Sequence, residues 1–529
     1  MVALAHAGLN RSGGARRGAF SRTQTRCLAL VVTFAVAGCT VGPDYSPPAA
    51  PTPTNYKELK GWKVATPGDG PGRGEWWALY HDPRLSLLIK QVEISNQTVA
   101  ANAAAYEQAR ALIREAQAAL FPVASAGYSA TRSGQGAAVS AVGVPITTTT
   151  VTPQLTGSWD LDVWGKVRRQ IESNTSAAQA SAADLEYAKL SQQALLATAY
   201  FNLRAADALH DLLDRTVREY KKTLEVVRNQ FNAGYGPPGS TCCTAADVAT
   251  AEAQVFTTQA QEINVGVQRA QYEHAIAMLI GRPPAELMIA PHPLSGVIPK
   301  IPVAVPSSLL ERRPDIAAAE RTMQQQNALI GVAVAAYFPD ISLSGTLQWM
   351  GSSPLPFKVA NEVWSLGAAG TQVLFEGGLR GAQVDAARAA YWQSVANYRQ
   401  TVLTAFQGVE DQLVAIRLLT QQLAVQQKAV KDAREAVRVY LNQFQLGTAA
   451  FTTVVTAEIT LLADEEAELV IRQDLFLASV SLIENLGGGW DNALLPAKKE
   501  LVKDFSLLPQ LPPNPSGSLV GQPASPPNP

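Results

Sequence analysis

"FPDISLSGTLQW", Phe338 to Trp349, alternates in side-chain character residue by residue after its proline. Ile341, Leu343, Gly345, Leu347 and Trp349 share one parity, and Asp340, Ser342, Ser344, Thr346 and Gln348 share the other. A period of two sends successive side chains to opposite faces, so the stretch is predicted to be a β-strand with one apolar and one polar face. Its length of about ten residues suits the apolar band of roughly 25 Å that a membrane-barrel strand crosses. Half-buried strands of soluble proteins alternate in the same way, so the pattern has to be read with its surroundings.

Those surroundings occur twice. Leu329-Ile330 followed by Phe338-Pro339 repeats Leu112-Ile113 followed by Phe121-Pro122 at a displacement of 217. Further on, Asn442-Gln443-Phe444 with Gly447 repeats Asn229-Gln230-Phe231 with Gly234 at 213, and Ala457-Glu458 repeats Ala251-Glu252 at 206. Order is kept while the displacement shrinks, as two copies of about 200 residues with small length differences require. Most of the last change is about seven extra residues in the first copy, around Gly236 to Cys243. Each copy reads helix, strand, strand, long helix, turn, helix.

In the first copy Val151, Leu155, Trp159 and Leu161 alternate with Thr152, Gln154, Thr156, Ser158, Asp160 and Asp162, and a partner strand runs from about Val123 to Arg132. The fourth segment is "WSLGAAGTQVLF", Trp364 to Phe375, stopped by Glu376-Gly377-Gly378. Four strands cannot close a membrane barrel, for which about eight is the minimum, so an oligomer has to supply the rest.

No proline interrupts Gly165 to Phe231 or Leu379 to Phe444, and each span of about 66 residues is predicted to form a helix of roughly 100 Å. Steps of four and three from Val409 meet Leu413, Ile416, Thr420, Leu423, Gln427, Val430, Arg434, Val437, Leu441 and Phe444, eight apolar of eleven. The row Leu196, Tyr200, Leu203, Asp207, His210, Asp214, Val217, Lys221, Leu224, Arg228 and Phe231 keeps six. A 3.5-residue period means coiled-coil packing, and the polar entries point to a seam shared with other surfaces. Both helices end at glycine-containing turns, Gly234 and Gly447, and a helix of about 37 residues runs back from each.

The 529 residues are 47% hydrophobic and 16% charged, too apolar for general disorder and too polar for a multi-helix membrane protein. Residues 1–38 hold five arginines and no acid, leaving 38 basic against 44 acidic residues and no general reason to expect nucleic acid. Arginines, an apolar run from Cys27 to Ala37 and then Ala37-Gly38-Cys39 make a secretory signal, too short to span a bilayer. Cys242 and Cys243, adjacent, close no stabilising loop; they are small loop residues, a vicinal disulfide, or ligands to a soft metal with outside help. His6, His81, His210, His274 and His292 lack metal-ligand spacing, "GGG" at Gly487 and "GPGRG" at Gly70 lack P-loop context, and no nucleophile meets a base. No enzyme, cofactor or resident metal is expected.

Several stretches carry a resemblance: "CTVGPDY" at Cys39, "RGEWWALYHDPRLSLLI" from Arg73, "WDLDVWGKVRR" from Trp159, "DVATAEAQ" from Asp247, "HAIAMLIGRPP" from His274, "LLERRPDIAAAERTM" from Leu309 and "IGVAVAAYFPDISLSG" from Ile330. From Cys39 to about Leu486 the chain resembles the TolC-like outer-membrane factors, of the nodulation-type (NodT) efflux lipoproteins. The resemblance implies an α+β fold in a homotrimer: four strands per chain in one twelve-stranded transmembrane barrel, continued by a long periplasmic barrel of helical hairpins, with two internal repeats. It implies an outer-membrane, lipid-anchored channel that passively conducts drugs or other small molecules, recruited by a periplasmic adaptor and an inner-membrane pump of the RND type. Val36-Ala37-Gly38-Cys39 resembles a lipoprotein box, making Cys39 the lipidated first mature residue, and Thr40 after it favours outer-membrane sorting.

The organisation expected is a signal peptide at 1–38, a lipidated extended segment at 39–84, the first repeat at 85–285, an equatorial linker at 286–306, the second repeat at 307–486 and a proline-rich disordered tail at 487–529. Around the waist, Arg312-Arg313-Pro314-Asp315 is expected to cap and pair structurally rather than bind substrate. In the family the hairpin tips close the channel and carboxylates near them narrow it. The tip positions here are Gly234, Asp247, Gly447, Thr456 and Glu458. Asp247 resembles the family's Asp-Val position, whereas Val455-Thr456-Ala457-Glu458 stands where relatives have Leu-Asp-Ala-Gln, so the aspartate is Thr456 and an acid appears at Glu458. A tethered periplasmic coiled coil without a pore is the alternative, and it leaves the four barrel-length segments unexplained.

Overall fold

The computed structural model describes residues 40–49, 52–58, 75–141, 143–233, 244–296, 298–299, 301 and 309–503. The signal sequence, Cys39, Gly234, Cys242, Cys243 and residues 504–529 of the tail lie outside the described residues. In chain order the main elements are α1 (Pro83–Ser95), α2 (Gln97–Ala118), β1 (Val123–Gln135), β2 (Ile146–Asp160), α3 (Lys166–Ala233), α4 (Ala245–Leu279), α5 (Pro314–Ala335), β3 (Asp340–Trp349), β4 (Glu362–Thr371), α6 (Leu379–Gln445), α7 (Phe451–Asn485) and α8 (Lys498–Val502). The succession helix, strand, strand, long helix, helix occurs twice. Two compact units form: one from residues 40–43, 119–170 and 330–384, the other from residues 44–118, 171–329 and 385–503.

The first unit is an antiparallel sheet in the order β1-β2-β3-β4, which leaves β1 and β4 as its two edges. Val123 pairs with Ser158, Gln154 with Gln348 and Asp340 with Thr371. β1 reaches three residues past Arg132, and β2 starts at Ile146 rather than Val151. Pro153 lies inside β2, has no N–H to donate, and ends the β2–β3 ladder at Gln154. Pairing resumes at Val151, which donates to the Gly351 carbonyl at 2.7 Å. β4 ends at Thr371, four residues short of the predicted Phe375, because its partner begins only at Asp340, directly after Pro339. The Gln372 side chain turns back to donate to the carbonyl of Tyr337 at 3.2 Å.

Every residue of β1 and β4 is exposed. On β4, Trp364 and Leu366 are 68% and 81% accessible. A sheet that leaves aromatic and aliphatic side chains uncovered has no core of its own, and uncovered apolar surface of this kind marks a membrane or partner contact.

The turn into α3 accounts for "WDLDVWGKVRR". The Asp162 carboxylate accepts from the backbone of Val167 and Arg168 at 2.9 and 3.0 Å, filling the unpaired donors of the first helical turn. Trp164 stacks on Phe338 at 4.8 Å and donates to the carbonyl of Pro339. Residues after Cys39 are pinned beside this turn: Val41 donates to the Trp164 carbonyl, and buried Arg169 donates to the carbonyls of Val41 and Gly42. Gly42 has φ +96°, and a Cβ there would meet the Gly331 backbone at 2.4 Å, so no other residue fits.

In the second unit α3 and α6, of 68 and 67 residues, meet return helices of 35 residues each. No helix among the described residues is long and apolar enough to cross a membrane. All eight apolar members of the α6 row are buried or half-buried, while Thr420, Gln427 and Arg434 are exposed. The α3 row departs from expectation: Phe231 is 45% exposed, and the buried face after Leu213 runs through Val217, Tyr220 and Val227. Leu213, Tyr220 and Val227 keep a seven-residue spacing, offset by one position towards the N-terminus from the predicted row.

The main core of this unit joins Trp76, Trp77, Leu85 and Ile89 to Leu196, Tyr200 and Leu203 of α3 and to Val402, Val409 and Leu413 of α6. The chain before α1 is tied to the same helices, since Glu410 accepts from the backbone of Lys57 and Glu58 and Arg417 pairs with Glu58. Of the linker, residues 286–296, 298, 299 and 301 are described. Asp207, 2% exposed at its side chain, holds this stretch in place: it pairs with Arg204 at 3.1 Å and Arg269 at 2.7 Å and accepts the His292 N–H at 2.9 Å. Arg313 plays the expected structural part, pairing with Asp315 at 2.7 Å and donating to the Asn485 carbonyl at 2.9 Å.

Removing one partner from a buried ion-pair network leaves the others uncompensated, at a cost of about 3–5 kcal/mol. Asp207→Ala is therefore expected to lower the denaturation midpoint of the detergent-solubilised protein, followed by far-ultraviolet circular dichroism. An unchanged midpoint would show that the network contributes nothing net.

Candidate functional site

The two hairpins of the second unit end in different ways. α4 starts with a capping box: Thr244 Oγ1 accepts from the Asp247 N–H at 3.3 Å, and the Asp247 carboxylate accepts from the Thr244 N–H at 2.7 Å. Both donors of an otherwise open first turn are satisfied, and the negative charge lies at the positive end of the helix dipole. The half-buried Asp247 is thus committed to its own helix.

The second tip closes on Gly447, whose φ of +75° lets it donate to Phe444 at 2.9 Å while Thr448 donates to Gln443 at 2.9 Å. That pair of bonds satisfies the last carbonyls of α6 and turns the chain into α7. Under the tip, Phe444 and Phe451 meet at 5.5 Å between ring centres and join Val227 of α3, Ala251 of α4 and Val454 of α7 in one apolar cluster. The two hairpins are therefore packed together near their ends.

Glu458 continues that cluster. Phe451, Val454 and Glu458 follow at intervals of three and four, the spacing of one helical face, so a carboxylate takes a core position. Its residue is 7% exposed. One carboxylate oxygen accepts from Thr223 of α3 at 3.0 Å, the other from Gln254 of α4 at 3.3 Å, and its backbone carbonyl accepts from the Tyr220 hydroxyl at 3.2 Å. Burial pushes the carboxyl up to about 7; the hydrogen bonds from Thr223 and Gln254 act against the rise, and the charge of Glu219 adds to it.

Thr456 lies on another face of α7. Its exposed hydroxyl donates to the Thr452 carbonyl at 2.8 Å, and it lines a shallow groove with Tyr440, Thr452 and Thr460. The residues singled out in the sequence are thus distributed among a helix cap, a turn, an outer face and a buried contact. Tyr220, Thr223 and Gln254 went unmarked because each is an ordinary helical residue until the register between hairpins is known. Arg228 and Glu252 form an ion pair from α3 to α4 near the first tip, and Arg434 and Glu465 form one from α6 to α7. Among the described residues no cluster of histidine, cysteine, aspartate or glutamate is arranged to hold a metal ion.

Known proteins share this fold. The family model described as outer membrane efflux protein matches residues 88–282 and 305–488. The chain is 28% identical over 471 residues to the probable efflux pump outer membrane protein TtgC of Pseudomonas putida, covering 88% of this chain and 95% of that one. It is 27% identical over 470 residues to the cation efflux system protein CusC of Escherichia coli, covering 88% and 99% respectively. The open state of the MtrE outer membrane channel of Neisseria gonorrhoeae superposes with a TM-score of 0.74 at 28% identity, over 86% of this chain and 99% of that one. With a family match across both copies of the internal repeat, the chain belongs to the outer membrane efflux protein family.

Proposed function

We propose that three copies of this chain form the exit duct of a tripartite efflux system. The duct conducts drugs or other small molecules passively, with a periplasmic adaptor and an inner-membrane pump of the RND type supplying selection and energy. The observation that carries the reading is the four-stranded sheet with unpaired edges at β1 and β4 and uncovered apolar side chains such as Trp364 and Leu366. Lipid-exposed sheet edges do not occur within a bilayer, because each unsatisfied N–H or C=O there costs several kcal/mol. Joining β4 of one copy to β1 of the next three times over closes a twelve-stranded barrel, inside the size range of membrane barrels.

Lipidation of Cys39 anchors each copy to the outer membrane, and the pinned Val41-Gly42 stretch supports a fixed course for the chain beyond it. The tips bearing Gly234, Asp247, Gly447, Thr456 and Glu458 form the periplasmic gate. Passive conduction calls for no chemistry on the cargo and for no cofactor. The transported compounds are those the pump delivers.

Planar-bilayer recording tests the reading. The purified protein is expected to give discrete conductance steps, and to keep them when Cys39 is replaced by alanine behind an ordinary signal peptide, since the barrel itself holds the membrane. A soluble Cys39→Ala monomer without conductance would overturn the channel. At the gate, Asp247→Ala is expected to raise the basal conductance several-fold by loosening the start of α4, where removing a cap costs about 1 kcal/mol. Unchanged conductance would remove Asp247 from the closing machinery.

A further inference from the structure

The outer hydroxyl-lined groove at Thr456 and the charged cleft around Arg218, Arg434 and Arg472 are accounted for by ordinary pairing within helices and hairpins. Glu458 is not so accounted for. It is a carboxylate in the apolar stripe that glues one hairpin to the other, and it contacts both helices of the opposite hairpin through Tyr220, Thr223 and Gln254. All three partners donate hydrogen, and among the described residues no arginine or lysine pairs with it.

We propose that Glu458 is a proton-operated latch between the two hairpins of each chain, closed when its carboxyl is protonated and weakened when it is ionised. The inference rests on the channel reading for its consequence, the opening of the tips, but not for the latch itself.

The charges around Glu458 fix the direction. On α3, the charge of Glu219 acts on it, and Glu219 pairs with Lys222 at 3.0 Å, while Arg228 is taken up by Glu252 of α4. On α7 itself the next acids are Asp464, Glu465 and Glu466; Glu465 pairs with Arg434 of α6, Asp464 accepts from Gln426 of α6, and burial raises the Glu466 carboxyl as well. Among the described residues no cation is therefore placed to neutralise an ionised Glu458, and the charge of Glu219 repels it. A buried charge without a counter-charge is unfavourable, so the packed interface prefers the neutral acid.

Separating the hairpins returns Glu458 to water and its carboxyl to the ordinary range near 4.5. The packed arrangement thus binds a proton that the separated one releases, across the interval from about 4.5 to about 7. The interface is at full strength below that interval, weakens as pH rises through it, and changes little above it. Acidification of the periplasm tightens the tips, and a return to neutrality or above loosens them.

Spin labels at exposed Thr250 on α4 and Thr460 on α7, in a chain with Cys242 and Cys243 replaced by serine, read the separation by double electron–electron resonance. Between pH 5.5 and pH 8 the ratio of separated to packed populations is expected to rise by roughly thirtyfold, the share of the interval from about 4.5 to about 7 that lies above pH 5.5. In Glu458→Gln, which keeps the shape and hydrogen bonds of the neutral acid, the ratio is expected to stay at its low-pH value throughout. Identical distance distributions at both pH values in the parent chain, or an equal pH response in Glu458→Gln, would overturn the latch. Open probability in planar bilayers is expected to follow the same curve. A conducting pore indifferent to pH would sink the latch alone, whereas absence of conductance at every pH would sink the channel reading and leave the distances to decide the latch.

Discussion

Hydrogen-bonding groups on a strand edge have to be paired wherever water cannot reach them, and β1 and β4 each keep one such edge unpaired within the chain. The proposed channel follows from that constraint. A soluble sheet of four strands would bury one face on a core; this one exposes every residue of both edge strands. Lipid on one side and a water-filled lumen on the other suit such a sheet, provided that identical copies supply the missing neighbours.

The helical unit meets a different demand. Hairpins of this length cannot be held by a single dry seam, so polar groups enter the interior and are satisfied one at a time. Asp207 holds two arginines and a backbone N–H, Glu410 takes two backbone N–H groups, and Arg313 spans an aspartate and a helix-terminal carbonyl. Fully satisfied networks of this kind give rigidity around the middle of the hairpins. Glu458 near the tips accepts hydrogen bonds but meets no cation, which leaves that contact responsive where the others are fixed.

Much of this was legible in the sequence. The repeat of Phe-Pro, Asn-Gln-Phe and Ala-Glu signatures exposed two copies, the alternation after Pro339 located β3 to the residue, and proline-free spans delimited α3 and α6 within two residues. What escaped has physical reasons. β4 stopped early because its partner ran out at Asp340, a fact of register that composition does not carry. The α3 seam lies one position off the predicted row because its register is set by what packs against Leu213, Tyr220 and Val227, which composition does not carry. At the tips, Glu458 was visible as an unusual acid, but its contacts with Tyr220, Thr223 and Gln254 depend on how one hairpin seats against the other. Asp247 shows the converse: a carboxylate marked for the gate is engaged in a capping box that Thr244 and the spacing of three already spelled out.

The central claim is that one chain supplies a third of a closed barrel. Counting subunits tests it most directly, by native mass spectrometry of the detergent-solubilised mature protein released from its micelle at low collision energy. The account requires a dominant species of three chains, with conductance confined to the fraction that contains it. A conducting monomer or dimer would contradict it, because the pore would then be built from four or eight strands rather than twelve.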